Sequence, residues 1–452
     1  MKTTVAKFGG TSIADAAHFR KIGEIVAENP ARRFLVVSAP GKRNPSDVKV
    51  TDLLLSAYEK AEEEENFEPV LHQVRERFLG IIRELFDGEK LSEEEAMLDQ
   101  TIRSIRDRLL SEPEKDYTAS RGEYLAARIL ADFLGYTFVD PEWCVCFTED
   151  GALDLPMTLR TMGAALRPLQ RAVIAGFYGA DGDARIRTFP RGGSDVTGAL
   201  AARAVSADLY ENWTDVPGLL AADPRIVEGP KTVDYLSYRE LRTLSYMGAS
   251  VLHTDSVLPA SDIGIPINIR STEEPENPGT MIVRKLPKGG LRRAVTGVAG
   301  RKGMSVIQVE KVMTSDGSGF ASNILESLKK RNLPFEHCLT GIDTITLVIR
   351  SDLLAPVKEA LLRELTEELQ PDYISIRDEL STIAVVGEKG TDASDANVQV
   401  LQALTRAGIE ITTINQGAGK LNLLIGVPEE NYEDAVRAVY SVIEEETEAR
   451  NA

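Results

Sequence analysis

A pair of adjacent glycines follows a short strand-like run twice in this chain, and a helical pattern begins directly behind each pair. The first copy is VAKFGGTSIADAAHF, with Gly9 and Gly10, and the second is TFPRGGSDVTGALAARA, with Gly192 and Gly193. Glycines in such a turn let the backbone approach a ligand closely, and the helix N-terminus behind them attracts negative charge. The first turn therefore predicts an anion site between a strand and a helix.

Apolar strands and amphipathic helices alternate over residues 1–290. Thr4 to Phe8 and Phe34 to Val37 have the continuous apolar pattern of buried parallel strands, and Ile13 to Glu28 has the pattern of the helix between them. Long charged helices fill residues 55–115, and short strands return behind them. The pattern predicts an α/β domain, with a mostly parallel sheet covered by helices on both faces.

The last part of the chain contains an internal repeat. The order βαββαβ runs over residues 291–378 and begins again over 379–452, where a charged tail arrives before a convincing sixth strand. Two small α+β modules thus lie in tandem, and the second is incomplete. A strand exchanged between the modules, or between chains, would cover the exposed edge.

Charge and composition exclude several kinds of partner. The net charge of -18 argues against nucleic acid and anionic lipid, and no apolar run approaches the roughly 18 residues of a membrane span. The three cysteines and four histidines form no metal-spaced cluster. The low number of cysteines is typical of a protein in a reducing compartment. Without a leader before the first strand, we expect a cytoplasmic protein with no metal ligands of its own.

Three loops carry side chains that suggest a reaction. Lys7, at the rim of the first glycine turn, is a point charge that can follow a phosphoryl group during transfer. Arg191, ahead of the second glycine pair, is a natural bidentate partner for a carboxylate, and Glu123 in YTASRGEYL could hold an ammonium group. Each feature alone has a plainer explanation: a solvated lysine, an exposed Glu123, and a helix cap for Asp195. Together they indicate an amino acid that becomes phosphorylated.

Six motifs in order, KFGGTS, SRGE, RGGSD, WTDVPG, DPR and GASVLH, resemble those of the aspartate kinases, a family of the amino acid kinase superfamily. The tandem C-terminal modules resemble that family's two ACT regulatory domains, and the resemblance covers almost the whole chain. It implies an αβα sandwich that uses ATP and Mg²⁺ to phosphorylate the β-carboxylate of L-aspartate, the entry to lysine, threonine and methionine. Because the sequence ends at Ala452, we expect a monofunctional enzyme without a fused homoserine dehydrogenase.

The resemblance also implies a role for each matching residue. Lys7 would stabilise the transferring phosphoryl group, and Asp195 would orient that lysine. The phosphate cradle would comprise Gly9, Gly10 and Ser12; the aspartate site Ser38, Thr51, Glu123, Arg191, Gly192, Gly193 and Ser194; and the nucleotide site Thr214, Asp215, Leu220, Arg225, Ser250 and Val251. A carboxylate is already a nucleophile at neutral pH, so this reaction requires no general base.

Ser250 departs from the family pattern, because many members carry a lysine there that reaches the nucleotide phosphates. Either another cation such as Arg225 or a magnesium ion supplies the missing charge, or the affinity for the nucleotide is lower. In the first ACT module we expect an amino-acid effector, with lysine favoured, and assembly into a homodimer or homotetramer through these modules. The expected effector site comprises Ser318, Gly319, Phe320, Glu336 and Thr340.

Two other functions stay open on the sequence alone. One is a related kinase that forms an acyl phosphate on glutamate or a similar acid, against which the SRGE and RGGSD motifs argue. The other is a non-catalytic amino-acid sensor with a degenerate kinase domain. Its support is the missing lysine at Ser250, while the intact Lys7, Arg191 and Asp195 weigh against it.

Overall fold

The computed structural model describes residues 2–190, 192–248, 258–286, 295–312, 319–387, 393–416 and 421–451. The chain divides into two units, each with its own sheet. The first comprises Met1–Leu219, Thr232–Leu241 and Ser250–Leu286, and the second comprises Leu220–Lys231, Arg242–Ala249 and Pro287–Ala452. Within the described ranges, no helix combines the length and the apolar character needed to cross a membrane.

The strands of the first unit are β1 (Thr4–Phe8), β2 (Arg32–Val37), β3 (Thr137–Val139), β4 (Ala172–Ala175), β5 (Tyr178–Ala180), β6 (Ile186–Thr188), β7 (Leu209–Thr214), β8 (Tyr235–Ser237), β9 (Ile267–Ser271) and β10 (Thr280–Val283). Eight of them form one sheet in the order β3-β4-β2-β1-β7-β9-β10-β8, and β5 and β6 form a separate hairpin. In the large sheet β9 and β10 pair antiparallel, and the other neighbours pair parallel. The predicted mostly parallel sheet is confirmed, with β1 buried at its centre.

The helices up to residue 262 are α1 (Ala16–Glu28), α2 (Val50–Glu62), α3 (Glu68–Leu85), α4 (Gly88–Ser111), α5 (Lys115–Leu134), α6 (Leu155–Leu166), α7 (Gly193–Ala204), α8 (Tyr238–Tyr246) and α9 (Leu258–Asp262). The predicted start of the first helix at Ile13 is wrong. A short 3-10 turn covers Thr11–Ile13, and Asp15 is the N-cap of α1, accepting a hydrogen bond from the His18 N–H at 3.1 Å. The carboxylate satisfies a helix-end N–H and so fixes where α1 begins.

The second unit contains the strands β11 (Gly297–Glu310), β12 (His337–Thr340), β13 (Thr344–Arg350), β14 (Tyr373–Gly387), β15 (Thr413–Gln416) and β16 (Leu421–Pro428). Its helices are α10 (Phe320–Lys330), α11 (Ser351–Leu354), α12 (Lys358–Leu369), α13 (Ala393–Arg406) and α14 (Tyr432–Asn451). The six strands form one sheet in the order β12-β13-β11-β14-β16-β15. The α+β character of the C-terminal part is confirmed.

Two long strands join the tandem modules into this single sheet. The second half of β11, Met304–Glu310, pairs antiparallel with the first half of β14, and Gly297–Arg301 at the start of β11 pairs with Thr382–Val386 in its second half. The start of β11 therefore supplies a strand beside the part of β14 that belongs to the second module. The predicted domain limit at 290 lies outside the described residues, and the limit at 378 falls within β14.

Candidate active site

The first glycine turn is held in place by backbone hydrogen bonds. The Gly9 N–H donates to the Trp213 carbonyl at 3.0 Å, and the Gly41 N–H donates to the Gly10 carbonyl at 2.7 Å. A Cβ on Gly10 would lie 3.0 Å from the Ala39 carbonyl oxygen, so a larger residue would require this backbone to shift by a few tenths of an ångström. The turn therefore needs glycine because neighbouring backbone lies directly against it.

The N–H groups of this turn divide into used and unused donors. Gly9 donates to Trp213, and Ser12 donates its N–H to the Gly9 carbonyl at 3.0 Å. Among the described residues, the N–H groups of Gly10 and Thr11 have no partner. The unused donors thus belong to Gly10 and Thr11, two residues of the KFGGTS motif.

Lys7 projects from β1 at this turn and is only 8% exposed. Its Nζ lies 2.6 Å from Oδ1 of Asp195, and the same oxygen accepts a hydrogen bond from Nδ2 of Asn212 at 2.8 Å. A Cβ on Gly9 would lie 3.5 Å from Lys7 Nζ, so the ammonium is beside the turn. The explanation of Lys7 as a solvated lysine is wrong, because its charge is buried and paired.

Asp195 lies in the first turn of α7, yet it does not cap that helix. The N-cap position belongs to Gly192, which has φ 57° in the left-handed region and makes no side-chain cap. A Cβ on Gly193 would lie 2.9 Å from the Phe177 Cα. The second glycine pair therefore supplies a left-handed backbone and a close approach, and it leaves the Asp195 carboxylate for Lys7 and Asn212.

Hydroxyl groups connect the first glycine turn to the end of β7. Ser12 Oγ lies 3.0 Å from Thr272 Oγ1, which donates to the Thr214 carbonyl at 3.1 Å. Thr214 Oγ1 in turn donates to Oδ1 of Asp215 at 3.0 Å. The structure thus brings the predicted phosphate-side Ser12 and nucleotide-side Thr214 together. The link is Thr272, which directly follows β9 and which our sequence reasoning missed.

Glu123 lies on α5, is only 5% exposed, and has an Oε2 without a hydrogen-bond partner among the described residues. Burial raises the pKa of this carboxyl to about 8, although a hydrogen bond from the Ala39 backbone partly opposes the shift. A Cβ on the preceding Gly122 would lie 2.7 Å from the Ala39 Cβ, so the SRGE motif packs on the segment behind β2. The explanation of Glu123 as an exposed carboxylate is therefore wrong, and a buried, unpartnered carboxylate favours a cation.

The two predicted substrate-side hydroxyls lie at the ends of one loop. Ser38 directly follows β2, and its N–H donates to the Phe8 carbonyl at 3.2 Å, which places it beside the end of β1. Thr51 lies in the first turn of α2, where the preceding Val50 N–H donates to the Pro40 carbonyl at 3.1 Å. Both residues are half-buried.

The remaining predicted nucleotide contacts are not assembled in the first unit. Leu220 and Arg225 belong to the second unit, where Arg225 pairs with Asp223 through an Nη2 to Oδ2 distance of 2.6 Å. Four predicted site residues lie outside the described residues: Arg191, Ser250, Val251 and Ser318. Their roles stay predictions.

A cavity of about 400 Å³ opens in the second unit between the start of α10 and the turn after β12. Three of the expected effector residues, Gly319, Phe320 and Thr340, are among its lining residues. Glu336 is not among the described residues that line it, and burial together with the Glu336 carboxylate raises the pKa of the Tyr246 hydroxyl. The structure thus separates Glu336 from the other predicted effector contacts.

A parallel sheet with a buried lysine at a glycine turn, followed by an α+β regulatory part, defines a phosphotransferase of the amino acid kinase class. The sequence profile of the amino acid kinase family matches residues 2–271, and that of an ACT domain matches residues 383–442. The chain is also 33% identical to Aspartokinase 3 of Bacillus subtilis (strain 168), over 96% of this chain and 97% of that protein. It belongs to the aspartokinase family, whose members phosphorylate a carboxyl group.

Solved structures give the same result. The aspartate kinase of Clostridium acetobutylicum is 36% identical and superposes with a TM-score of 0.84, covering 98% of this chain and 100% of that one. E. coli aspartokinase III in complex with aspartate and ADP is 25% identical with a TM-score of 0.72, and its complex with lysine and aspartate is 26% identical with a TM-score of 0.70. Each of these two comparisons covers 98% of this chain and 99% of the E. coli chain.

Proposed function

We propose that this chain transfers the γ-phosphoryl group of ATP, bound with magnesium, to the β-carboxylate of L-aspartate. The products are 4-phospho-L-aspartate and ADP. The observation that carries the proposal is the buried Lys7 ammonium, held 2.6 Å from Asp195 beside the glycine turn. The complex of the E. coli relative with aspartate and ADP supports the same pair of ligands here.

In this proposal the protein contributes position and charge. The β-carboxylate attacks the γ-phosphorus directly, and the bond from the γ-phosphorus to the bridging oxygen of ADP breaks. Lys7 supplies a fixed positive charge to the transferring group. Asp195 holds the Lys7 ammonium in place, and Asn212 holds the Asp195 carboxylate. The N–H groups of Gly10 and Thr11 are available as further donors at the same turn. Donors fixed in advance need no reorganisation when charge develops.

The substrate's other two charged groups set its orientation in our proposal. The buried Glu123 carboxylate receives the α-ammonium, and Arg191 receives the α-carboxylate as a bidentate partner. Ser38 and Thr51 add hydroxyl contacts from the loop behind β2. With both α-groups held, the β-carboxylate alone is free to attack.

Substrate analogues test this assignment through ADP release in a coupled assay. L-Aspartate is expected to support turnover, whereas succinate lacks the ammonium for Glu123 and β-alanine lacks the α-carboxylate for Arg191. Each analogue should lose on the order of a hundredfold or more in kcat/KM, as expected when a buried charged partner is left unpaired. L-Glutamate is the control for chain length. Turnover of L-glutamate or succinate at the rate of L-aspartate would contradict the proposal.

The affinity for L-aspartate should increase with pH. Since burial raises the pKa of Glu123 to about 8, the carboxyl is protonated below that pH in the free enzyme and cannot pair with an ammonium. Each pH unit below the pKa costs about 1.4 kcal/mol of binding, so KM for aspartate should fall roughly tenfold between about pH 7 and pH 8.5. KM for ATP over the same range is the control. A flat profile for aspartate would remove Glu123 from the substrate site.

We further propose that lysine inhibits the enzyme by binding the cavity of about 400 Å³ in the first ACT module. Its size suits an amino acid, and Gly319, Phe320 and Thr340 contribute to its lining. The E. coli relative is described in complex with lysine and aspartate, which supports lysine as effector. Inhibition through such a site is a coupling free energy, typically about 1–3 kcal/mol.

Filling the cavity should relieve this inhibition. Thr340→Trp places a large side chain in the cavity lining, so the lysine concentration for half inhibition should rise tenfold or more, each variant being compared with its own uninhibited rate. Thr366→Trp is the matched control, because Thr366 lies on α12 with its hydroxyl bonded to the Leu362 carbonyl at 2.8 Å. If both variants keep the wild-type lysine response, this cavity is not the effector site.

The oligomeric state and location follow the family resemblance in our proposal. We propose a homodimer or homotetramer, assembled through the ACT modules, in the cytoplasm. Sedimentation velocity of the purified chain measures the assembly, and a monomer at micromolar concentration would contradict it.

A further inference from the structure

The loop from residue 38 to 49, between β2 and α2, is held by an arginine from another element. Arg77 lies on α3 and is only 8% exposed, although it carries a charge. Its guanidinium donates to four groups: Asp47 Oδ2 at 2.6 Å, the Val48 carbonyl at 3.3 Å, the Gly41 carbonyl at 2.8 Å and the Ala14 carbonyl at 3.4 Å. Three of these acceptors belong to the loop, and the fourth directly precedes the N-cap of α1.

One of these contacts connects Arg77 to the first glycine turn. The Gly41 carbonyl accepts from Arg77, and the Gly41 N–H donates to the Gly10 carbonyl at 2.7 Å. A Cβ on Gly41 would lie 2.6 Å from the Gly10 carbonyl carbon. The loop backbone therefore packs against the first glycine turn, and Gly41 connects Arg77 to that turn.

The hydrogen-bond geometry of Arg77 indicates its role more directly than its charge does. Arg43 and Arg77 hold the pKa of Asp47 well below its ordinary value, so this carboxylate is ionised under all working conditions. A buried ion pair adds little net stability, because desolvation offsets the attraction. A guanidinium, however, has five donors in a rigid fork and can fix several acceptors at once. Arg77 uses that fork across the loop and the segment before α1.

We propose that Arg77 is a positioning residue for phosphoryl transfer, which fixes the 38–49 loop against the glycine turn. Through Gly41 and Asp47 it keeps Ser38 and Thr51 in place at the two ends of the loop, and it makes no contact with substrate itself. The inference rests on the proposed function for the roles of those two hydroxyls. A misplacement of about 1 Å in such groups can cost a hundredfold in rate.

The kinetic test compares Arg77→Gln and Arg77→Lys with Arg75→Gln. Arg75 lies on the same helix and pairs with Asp99 at 2.8 Å and with Glu76 at 2.9 Å, so it is a matched arginine whose carboxylate partners both lie outside the loop. Arg77→Gln should lower kcat/KM for aspartate at least tenfold. Arg77→Lys should also lower kcat/KM, because an ammonium cannot reproduce the forked donor geometry of the guanidinium. Arg75→Gln should retain the wild-type value.

Two further measurements separate positioning from general stability. In a double-mutant cycle, adding Asp47→Asn to Arg77→Gln should lower the rate little beyond Arg77→Gln alone, because the two groups act together. Limited trypsin digestion reads the loop without activity: the exposed Lys42, Arg43 and Lys49 should be cut faster in Arg77→Gln than in Arg75→Gln. The cut sites are identified by mass spectrometry.

The outcomes distinguish this inference from the proposed function. If wild-type protein releases ADP with aspartate, but Arg77→Gln matches Arg75→Gln in kcat/KM and in cleavage of the loop, the positioning role is overturned. The same holds if Arg77→Gln merely melts at a lower temperature while its kcat/KM below that temperature is unchanged. If the wild-type protein itself shows no aspartate-dependent turnover, the proposed function fails, and trypsin cleavage alone then decides whether Arg77 holds the loop.

Discussion

Replacing Lys7 with methionine is expected to lower kcat by about a hundredfold or more, the typical loss for one fixed charge-stabilising donor. The Lys7 ammonium lies 2.6 Å from Asp195 and beside Gly9, so its charge is already in place before phosphate arrives. Methionine keeps much of the side-chain volume but removes the charge and the N–H donors of the ammonium. The measurement is the steady-state rate of ADP release at saturating aspartate and ATP.

The matched control for this variant is Lys60→Met. Lys60 also pairs with a carboxylate, Glu65, at 2.7 Å, but on the exposed end of α2. It should keep the wild-type kcat, because a surface ion pair contributes little. We expect Lys7→Met to fold, because Asp195 keeps its hydrogen bond from Asn212. Circular dichroism of the variant checks this. A folded Lys7→Met variant with nearly wild-type kcat would contradict the role of Lys7.

Replacing Glu123 with glutamine is expected to raise KM for L-aspartate by about a hundredfold, with a smaller effect on kcat. Removing one partner of a buried charge pair typically costs about 2–5 kcal/mol. The amide has the shape of the carboxylate but cannot neutralise the substrate ammonium. In this variant the pH dependence of KM near pH 8, which follows from the raised pKa of Glu123, should also disappear.

Glu94→Gln is the matched control for Glu123→Gln. Glu94 is another buried glutamate, on α4, and it pairs with Lys90 at 2.9 Å. Its replacement should lower stability without changing KM for aspartate. Equal shifts of KM in the two variants would mean that Glu123 acts through folding and not through the substrate.

The sequence predicted the parts of the fold that local pattern determines. The apolar run of β1 and the glycine pair behind it were found where the sequence indicated, because burial and turn chemistry act over a few residues. The strand that extends the second module was not identifiable. Its residues, Gly297–Arg301, pair with Thr382–Val386 far along the chain. Such register is set by long-range contacts, which a periodic pattern does not contain.

The candidate site shows the same division. Residue type and motif pointed to Lys7 and Glu123, but only the fold shows that both are buried. Arg77 was missed because the stretch RERFLGIIREL has the pattern of an amphipathic helix, on which a charged residue is expected to face solvent. Its burial depends on the 38–49 loop folding over α3, a contact between distant parts of the chain.

The most direct test of the proposed reaction is to trap its product with hydroxylamine. Wild-type protein, ATP, magnesium and L-aspartate should give β-aspartyl hydroxamate, identified by chromatography against an authentic standard. L-Glutamate should give none, and Lys7→Met should form it at about a hundredth of the wild-type rate or less. Absence of hydroxamate with aspartate from folded wild-type protein would contradict the account and favour an amino-acid sensor, whereas hydroxamate from glutamate alone would identify a different acyl-phosphate kinase.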